Sequence, residues 1–356
     1  MLTYAIFLLV IFGGMLLFEV NPNKNTQRNQ LIFAWVVIFL FWGSVDARDF
    51  GTDISVYYQH ATHVLRLTYT QYLNNTPFEP GYATLIWIIS NIFKSPQALL
   101  FIQYGFVTFS VFRFIYRNSK DIFISVVAYM CLGSFGLFLY AFRQAFAIAI
   151  CLFALEAIQK KKIILAILLI FFASLFHQTA IVFLPVIFLY GKKLNQKNIF
   201  IFSAIMIVIA LTLDYTLPQA NELFDMEYGA RGARSAIGGI ISIIVNAIAF
   251  ILIAAKYQKA SHDLKEETFN NTSLMIFISI AAFVIYLCRF YALALERVAH
   301  YFIPAFSILF AEGLTTHGKK RIQDFTFFFV ILSVVLFLYR SNTSLGFYRP
   351  FWRIYF

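Results

Sequence analysis

Apolar runs separated by short polar connections make up almost the whole chain. A helix needs about 20 residues to cross a hydrocarbon core of about 30 Å, and shorter helices are tolerated inside a bundle. The pattern therefore predicts an all-α, polytopic membrane protein with about twelve transmembrane helices. The predicted spans are residues 2–19, 31–46, 97–115, 122–140, 144–158, 163–176, 178–190, 198–213, 235–255, 272–289, 298–314 and 324–340.

Two other segments are predicted to be helices that do not cross the membrane. Residues 80–93, PGYATLIWIISNIF, are apolar but too short to span alone, and Pro80 with Glu79 before it suits a helix start. We expect a re-entrant or interfacial helix there. Residues 53–73 carry apolar side chains at helical spacing on one side and polar ones on the other, which predicts an amphipathic helix in the interface plane.

The short apolar segments 163–176 and 178–190 leave two readings open. They are either two elements or one long kinked helix that reverses the topology downstream. The lysines at 160–162 and 192–193 favour two elements, because one crossing would place those two groups on opposite sides.

The amino-acid composition is also typical of an integral membrane protein. Hydrophobic residues make up 61% of the chain and charged residues 13%, with a mean hydropathy of +0.76, whereas soluble domains carry about a quarter charged residues. No polar stretch is long enough for a separate domain, so residues 1–356 are predicted to form one integral-membrane domain. The N-terminal run lacks a basic region and a cleavage site, and is predicted to be a first transmembrane helix.

Lysine and arginine are sorted along the chain. One set of connections holds most of the lysines, and the positive-inside rule makes that side cytoplasmic, with both termini outside. The alternate set holds arginine with Lys94 as the single lysine. Its arginines are Arg48, Arg66, Arg143, Arg231, Arg234, Arg289, Arg297, Arg340, Arg349 and Arg353. The planar fork of arginine binds phosphate and carboxylate with two hydrogen bonds, so an anionic ligand on the outer side is indicated; snorkelling at helix ends is the alternative. The formal net charge of +11 is assigned to lysine anchoring rather than to nucleic-acid binding.

The central parts of the predicted spans carry almost no ionisable residues. Coupled transporters and lipid-linked glycan flippases need such groups at mid-membrane, so the pattern disfavours both. Polar chemistry collects instead at the external helix ends and in the external loops 46–96 and 214–235. This favours an enzyme at the outer membrane boundary, acting on a substrate with an anionic head and a lipid tail.

Candidate site residues lie at these external ends. Arg143 opens a span and needs an anionic partner, either a ligand or a structural acid. His177 lies between two apolar segments and suits a general base, although a structural histidine is the alternative. Arg297 and Tyr301 are four residues apart and share a helix face. Asp53 fits the first turn of a helix better than a metal site, and the three cysteines have no metal-ligand spacing, so no metal is predicted.

Five motifs in order carry a family resemblance. They are GTD…Y (Gly51 to Tyr57), FEPGY (Phe78 to Tyr82), RQ (Arg143, Gln144), FHQTA (Phe176 to Ala180) and R…Y (Arg297, Tyr301). In this order and placement the chain resembles the EpsG-like branch of the Wzy-type bacterial polysaccharide polymerases. The resemblance implies a GT-C-like glycosyltransferase of the bacterial cytoplasmic membrane that needs no cofactor. Its substrate is a polyprenyl-pyrophosphate-linked oligosaccharide of an O-antigen, capsule or exopolysaccharide, and its partners include membrane lipid, a flippase and a chain-length regulator.

The implied chemistry assigns roles to the candidates. Cations must hold the departing pyrophosphate and a base must take a proton from the attacking sugar hydroxyl. The pyrophosphate is assigned to Arg143, Arg297 and Arg289; the base to His177, with Asp53 and Glu79 next; and substrate contacts to Gln144, Tyr57 and Tyr301. A ligase that moves finished glycan to another acceptor uses the same parts and stays open.

The lysine sorting predicts a topology that thiol labelling can check. Cysteines introduced as Lys193→Cys and Lys259→Cys should resist a membrane-impermeant maleimide in intact cells, because both lie on the predicted cytoplasmic side. Asn342→Cys should react. Labelling of Lys193→Cys from outside contradicts the topology, and labelling of all three after permeabilisation is the control for reactivity.

Overall fold

A computed structural model describes residues 2–23, 25–46, 52–132, 134–139, 141–192, 196–211, 247, 266–287, 293–314 and 323–344. Over these residues every regular element is a helix. The α-helices are α1 (Leu2–Val20), α2 (Thr26–Gly43), α3 (Thr52–His63), α4 (Tyr69–Asn75), α5 (Pro80–Phe93), α6 (Gln97–Asn118), α7 (Ile122–Cys131), α8 (Phe135–Phe138), α9 (Phe142–Gln159), α10 (Ile163–Ser174), α11 (Gln196–Leu211), α12 (Glu266–Leu287), α13 (Leu293–Ala299), α14 (Pro304–Leu314) and α15 (Gln323–Ser344). Two 3-10 helices cover Val64–Arg66 and Gln178–Phe188.

The prediction of an all-helical membrane protein is confirmed at this level. Within the described ranges, four helices are long and apolar enough to cross a membrane: Leu2–Val20, Gln97–Asn118, Phe142–Gln159 and Asn270–Leu287. Six shorter apolar helices accompany them, among them Pro80–Phe93. The count of about twelve crossings stays a prediction. The predicted span 235–255 and the predicted loop 214–235 lie outside the described residues, except for residue 247.

The helix predicted for residues 53–73 is two helices. It ends at His63, a 3-10 turn follows, and Thr68 then starts α4. Thr68 forms a capping box with Gln71, in which each side chain bonds the backbone N–H of the other residue. This local cap outweighs the continuous apolar periodicity, because it satisfies backbone donors that a new helix start exposes.

Two predicted spans are also interrupted. The segment 122–140 holds α7, which ends at Cys131, and the four-residue helix α8. The intervening sequence contains glycine, a poor helix former. The segment 298–314 is broken by a turn at residues 301–303, and Pro304 begins α14, as suits a residue without a backbone N–H.

The segments around His177 are two elements, as the lysine pattern indicates. Helix α10 ends at Ser174, and after a turn the chain continues as the 3-10 helix Gln178–Phe188. The two pack against each other, and both pack against α9. A single kinked helix over 163–190 is therefore excluded.

Helix α9 runs parallel to α6, and the pair carries polar contacts at both ends. At one end Gln103 donates to the backbone carbonyl of Phe142 at 2.9 Å, and Tyr104 donates to the carbonyl of Leu139 at 2.8 Å. These bonds fix the backbone where α9 starts. At the other end Glu156 accepts two bonds from Arg113, at 3.0 and 3.2 Å.

The Glu156 end gathers several cations. Arg117 lies 3.1 Å and Lys160 2.6 Å from the same carboxylate oxygen, and Lys120 pairs with Glu312 at 2.5 Å. Glu156 follows Arg143 by thirteen positions in the same helix, which corresponds to about 20 Å along the axis. The lysine-rich and the arginine-bearing connections therefore meet opposite ends of α9.

Candidate active site

The site begins at the N-terminus of α5. Glu79 is its N-cap residue, with φ −57° and ψ 147°, and Pro80 follows at the first helical position. The Glu79 side chain makes no capping hydrogen bond to its own helix. Its carboxylate is directed instead to side chains from two other segments.

Gly81 brings α5 against the end of α10. Its backbone N–H donates to the carbonyl oxygen of Leu175 at 2.8 Å, so the start of one helix is bonded to the end of another. A Cβ at Gly81 would lie 2.7 Å from that oxygen and 2.9 Å from the carbonyl carbon of Leu175. Glycine is needed here because the two backbones approach too closely for any side chain.

The carboxylate of Glu79 lies between Arg143 and His177. Arg143 donates from one terminal nitrogen to Oε2 of Glu79 at 2.6 Å. Nδ1 of His177 is 2.9 Å from Oε1, and the backbone N–H of Gln178 is 3.4 Å from the same oxygen. The exposed fractions of the side chains are 10% for Glu79, 29% for Arg143 and 19% for His177, so the group is mostly buried and reaches the surface chiefly through Arg143.

These contacts fix the charge on Glu79. Burial by itself raises the pKa of this carboxyl, but the hydrogen bond from His177 and the positive charge of Arg143 outweigh it and lower the pKa to about 2. A folded-state pKa below the ordinary 4.5 means that the stabilising contribution of Glu79 is complete above pH 4.5 and is lost as the pH falls towards 2.

An ionised carboxylate can only accept hydrogen bonds, so Nδ1 of His177 must carry the proton and donate. In neutral imidazole this leaves the lone pair on Nε2. Within the described ranges no protein group bonds Nε2. A carboxylate that orients an imidazole in this way is the arrangement by which histidine serves as a general base in Ser-His-Asp triads.

Arg143 keeps donor capacity beyond Glu79. Its guanidinium carbon lies 5.1 Å from the ring centroid of Phe78, and it also interacts electrostatically with Tyr57. Tyr57 stacks on Phe142 with centroids 5.1 Å apart and planes 7° apart. Nε of Arg143 is buried and has no hydrogen-bond partner among the described residues. The side chain is 29% exposed, and its remaining N–H groups suit an anion, since guanidinium holds oxyanions through adjacent N–H groups.

Helix α13 and the turn after it contact the same region. Gln144 is 3% exposed, and its amide donates to the backbone carbonyl of Arg297 at 2.5 Å. The hydroxyl of Thr179, two residues after His177, donates to the Tyr301 hydroxyl at 3.1 Å. The turn after α13 is thereby tied to the start of α9 and to the His177 turn. The side chain of Arg297 itself is exposed.

The structure thus brings Glu79, Arg143 and His177 into direct contact, with Tyr57 beside them and with Gln144, Tyr301 and the backbone of Arg297 attached. Asp53 lies in the first turn of α3, but its side chain is outside the described set, and Arg289 is outside the described residues altogether. Over the described part of the chain no group of three His, Cys, Asp or Glu side chains is placed to hold a metal ion.

Sequence reasoning missed three residues that shape this site. They are Gly81, which sets the helix approach; Phe78, which lies under the Arg143 guanidinium; and Thr179, which bonds Tyr301. The signal for all three was present, because Phe78 and Gly81 lie with Glu79 in the FEPGY motif and Thr179 lies in the FHQTA motif. A glycine and a proline directly after an acidic N-cap residue indicate a helix start with a close backbone neighbour.

Comparison with known proteins gives one family. A model described as the EpsG family matches residues 30–351, which is most of the chain and includes all five motifs in full. No curated protein and no solved structure matches the chain.

Substitution of Gly81 tests the helix contact. In Gly81→Ala the added methyl must push α5 away from Leu175, which breaks the Gly81 hydrogen bond and draws Glu79 from His177. We expect the free energy of unfolding to fall by about 1–3 kcal/mol, as for other overpacked sites. The measurement is thermal unfolding of the purified protein in detergent.

The matched control is Gly13→Ala in α1, where an added Cβ meets nothing within 4 Å. That variant should melt at the wild-type temperature or slightly above, because alanine is the better helix former. Equal melting of Gly81→Ala and Gly13→Ala contradicts the close approach of α5 and α10.

Proposed function

Because the chain belongs to the EpsG family, we propose that it is a polysaccharide polymerase, a membrane glycosyltransferase that uses polyprenyl-pyrophosphate-linked oligosaccharide. The observation that carries this proposal is the Glu79 carboxylate, which holds Arg143 on one oxygen and His177 on the other. A phosphate-binding cation and an oriented base thereby lie on either side of one carboxylate, at a single helix start.

In the proposed reaction His177 is the general base. A hydroxyl of the incoming lipid-linked repeat unit attacks the anomeric carbon of the growing glycan, and Nε2 of His177 takes the hydroxyl proton. The bond between that carbon and the pyrophosphate oxygen breaks, and polyprenyl pyrophosphate leaves with the bonding electrons. Glu79 holds the Nδ1 proton and stabilises the imidazolium that forms. Its pKa of about 2 makes it a weak base, which favours this orienting role over proton abstraction.

The proposed cations stabilise the leaving group. Negative charge grows on the pyrophosphate as the bond breaks, and preorganised donors in a water-poor site are most effective against such charge. The Arg143 side chain is 29% exposed and keeps N–H groups beyond the one that bonds Glu79, and the exposed Arg297 side chain extends from a backbone that Gln144 holds. Arg289 is a third proposed cation and Asp53 an alternative base, both on sequence grounds.

We propose that Tyr57, Gln144 and Tyr301 lie near the substrate and have different roles. Tyr57 interacts electrostatically with Arg143, and its ring stacks on Phe142 at the start of α9. Gln144 and Tyr301 are 3% and 1% exposed and already bond protein groups. Gln144 and Tyr301 are therefore more suited to positioning neighbouring protein groups than to contacting the sugar directly.

The cellular setting follows from the same proposal. The enzyme has about twelve transmembrane helices in a GT-C-like arrangement, lies in the bacterial cytoplasmic membrane with both termini outside, and works on the outer face. Loops 46–96 and 214–235 contribute to the site. A flippase delivers the lipid-linked units and a chain-length regulator acts beside it. A ligase would transfer finished glycan to a different acceptor with the same chemistry. The identity of the product therefore distinguishes a ligase from a polymerase.

Replacing His177 tests the base. His177→Ala should abolish polymer, since loss of a general base costs about 10²–10⁴-fold in rate. His177→Gln should be equally inactive, because its amide still donates to Glu79 but accepts no proton. The measurement is polymer length and lipid-linked repeat-unit accumulation, normalised to protein level. Polymer of normal length in His177→Gln would show that His177 serves the fold alone.

Arginine-to-lysine changes test the cations. Arg143→Lys and Arg297→Lys keep the charge and lose the two-pronged geometry, which costs about 1.5–3 kcal/mol for a charge-assisted bond, or roughly ten- to a hundredfold in rate. We expect lipid-linked units to accumulate and polymer to shorten in both.

The matched control is Arg113→Lys, which alters the same kind of two-pronged pair at the opposite end of α9. At equal protein level it should retain polymer of normal length. Equal behaviour of all three variants contradicts a pyrophosphate role for Arg143 and Arg297.

A further inference from the structure

A polar groove lies on the outer face of α3 and the 3-10 turn after it. Its volume is about 400 Å³, and its lining is Ser55, Tyr58, Gln59, Thr62, His63 and Arg66. The spacing of Ser55, Gln59, Thr62 and Arg66 is i, i+4, i+7 and i+11, which places them in one stripe along a helix. Every one of the six side chains can hydrogen-bond, and none is aliphatic.

The opposite face of α3 is buried in the protein. Ile54, Tyr57, Ala61 and Val64 are all at most 7% exposed, and α3 packs against α5 and α6. The sequence pattern suggested that this apolar face enters the membrane interface. Since it is covered by protein, insertion of this face into lipid does not explain the amphipathic pattern. The polar stripe lies on the exposed side of the segment, beside Val56 and Leu65.

The lining chemistry favours a carbohydrate over a phosphate or an acidic peptide. Arg66 is the one fixed cation among the six residues, whereas phosphate sites combine several cations or helix N-termini. Gln59, Thr62 and His63 offer neutral donors and acceptors, which match sugar hydroxyls. The Tyr58 ring offers a flat surface for the apolar face of a pyranose. The volume lies within the range of small-molecule sites, about 300–1,000 Å³.

The groove is connected to the Glu79–His177 site through α3 itself. Tyr58 lines the groove, and the preceding residue, Tyr57, interacts electrostatically with Arg143 on the inner side of the helix. His60 lies 4.4 Å from Phe78, centroid to centroid, and Phe78 lies under the Arg143 guanidinium. A sugar chain in the groove is therefore one helix diameter from the proposed reaction centre, about 10 Å.

We propose that this groove is a binding site for the sugar residues of an oligosaccharide substrate, beyond the residue that reacts. The proposal rests on the proposed polymerase function. It assigns Gln59, Arg66 and Tyr58 to holding the glycan, with Arg66 placed to pair with a carboxylate where the repeat unit carries one.

A spin label in the groove tests occupancy directly. The full chain carries Thr62→Cys with a nitroxide, in a Cys288→Ser background because Cys131 and Cys151 are buried, and is reconstituted in lipid nanodiscs. The probe is a set of oligosaccharide fragments from the polysaccharide that wild-type cells secrete. We expect the label to be accessible to a water-soluble nickel complex, and the fragments to immobilise it and to reduce that access at least twofold.

The control label is Asn74→Cys, at an exposed position of α4 outside the groove, where fragments should change nothing. A Thr62 label that is shielded from nickel and accessible to oxygen without any glycan indicates a lipid-facing surface and overturns the proposal. So does a Thr62 label that saturating fragments leave unchanged.

Cellular product separates this proposal from the polymerase function. The double variant Gln59→Ala, Arg66→Gln should shorten the polymer and raise lipid-linked units at least tenfold, without loss of protein. Normal polymer in this variant, alongside no polymer in His177→Gln, overturns the groove and leaves the polymerase function intact. Normal polymer in His177→Gln counts against the assigned reaction, and the nanodisc measurement then decides the groove alone.

Discussion

The arrangement of the candidate site depends on one carboxylate with two partners. A carboxylate that is 10% exposed is costly to bury alone, and here each oxygen of Glu79 accepts from a different segment of the chain. Removing one partner leaves the charge half-satisfied, which costs more than the bond itself is worth in isolation. The positions of α5, the start of α9 and the turn after α10 are therefore mutually dependent, and the Gly81 backbone contact joins α5 to the end of α10 a second time.

Helix α9 separates two kinds of electrostatics. Its first turn carries Arg143, which retains an unpartnered donor, whereas its last turns carry Glu156, whose carboxylate is fully engaged by Arg113, Arg117 and Lys160. The residues between them are almost all buried and apolar. The Arg143 end of α9 thus keeps donors that can bind a ligand, whereas the Glu156 end is an ion cluster whose acceptors are all occupied. This distribution is expected if the first end contacts substrate and the second stabilises the helix packing.

Local patterns predicted the elements well where a single strong signal acts. The helix over residues 80–93 was predicted to the residue, because Pro80 starts it and the apolar run sets its length. The break at Thr68 was missed because apolar periodicity was weighed above a capping box. Glu79 contacts Arg143, 64 positions later in the chain, and His177, 98 positions later. No local sequence pattern states which acid pairs with which arginine. Motif order indicated that Glu79, Arg143 and His177 belong together. It ranked Glu79 behind His177 as a candidate base, and the contacts of Glu79 with Arg143 and His177 come from long-range packing that no motif states.

The segment after His177 has a geometry with its own consequence. Gln178–Phe188 is wound as a 3-10 helix, which rises about 2.0 Å per residue against about 1.5 Å in an α-helix. Its eleven residues therefore extend about 22 Å, a length that needs about fifteen residues of α-helix. Three residues per turn also place Ala180, Phe183 and Val186 directly above one another, and these are its three buried side chains. A segment that looks too short by residue count is therefore longer along its axis than an α-helix of the same number of residues. Residue counts alone underestimate the distance that this segment covers.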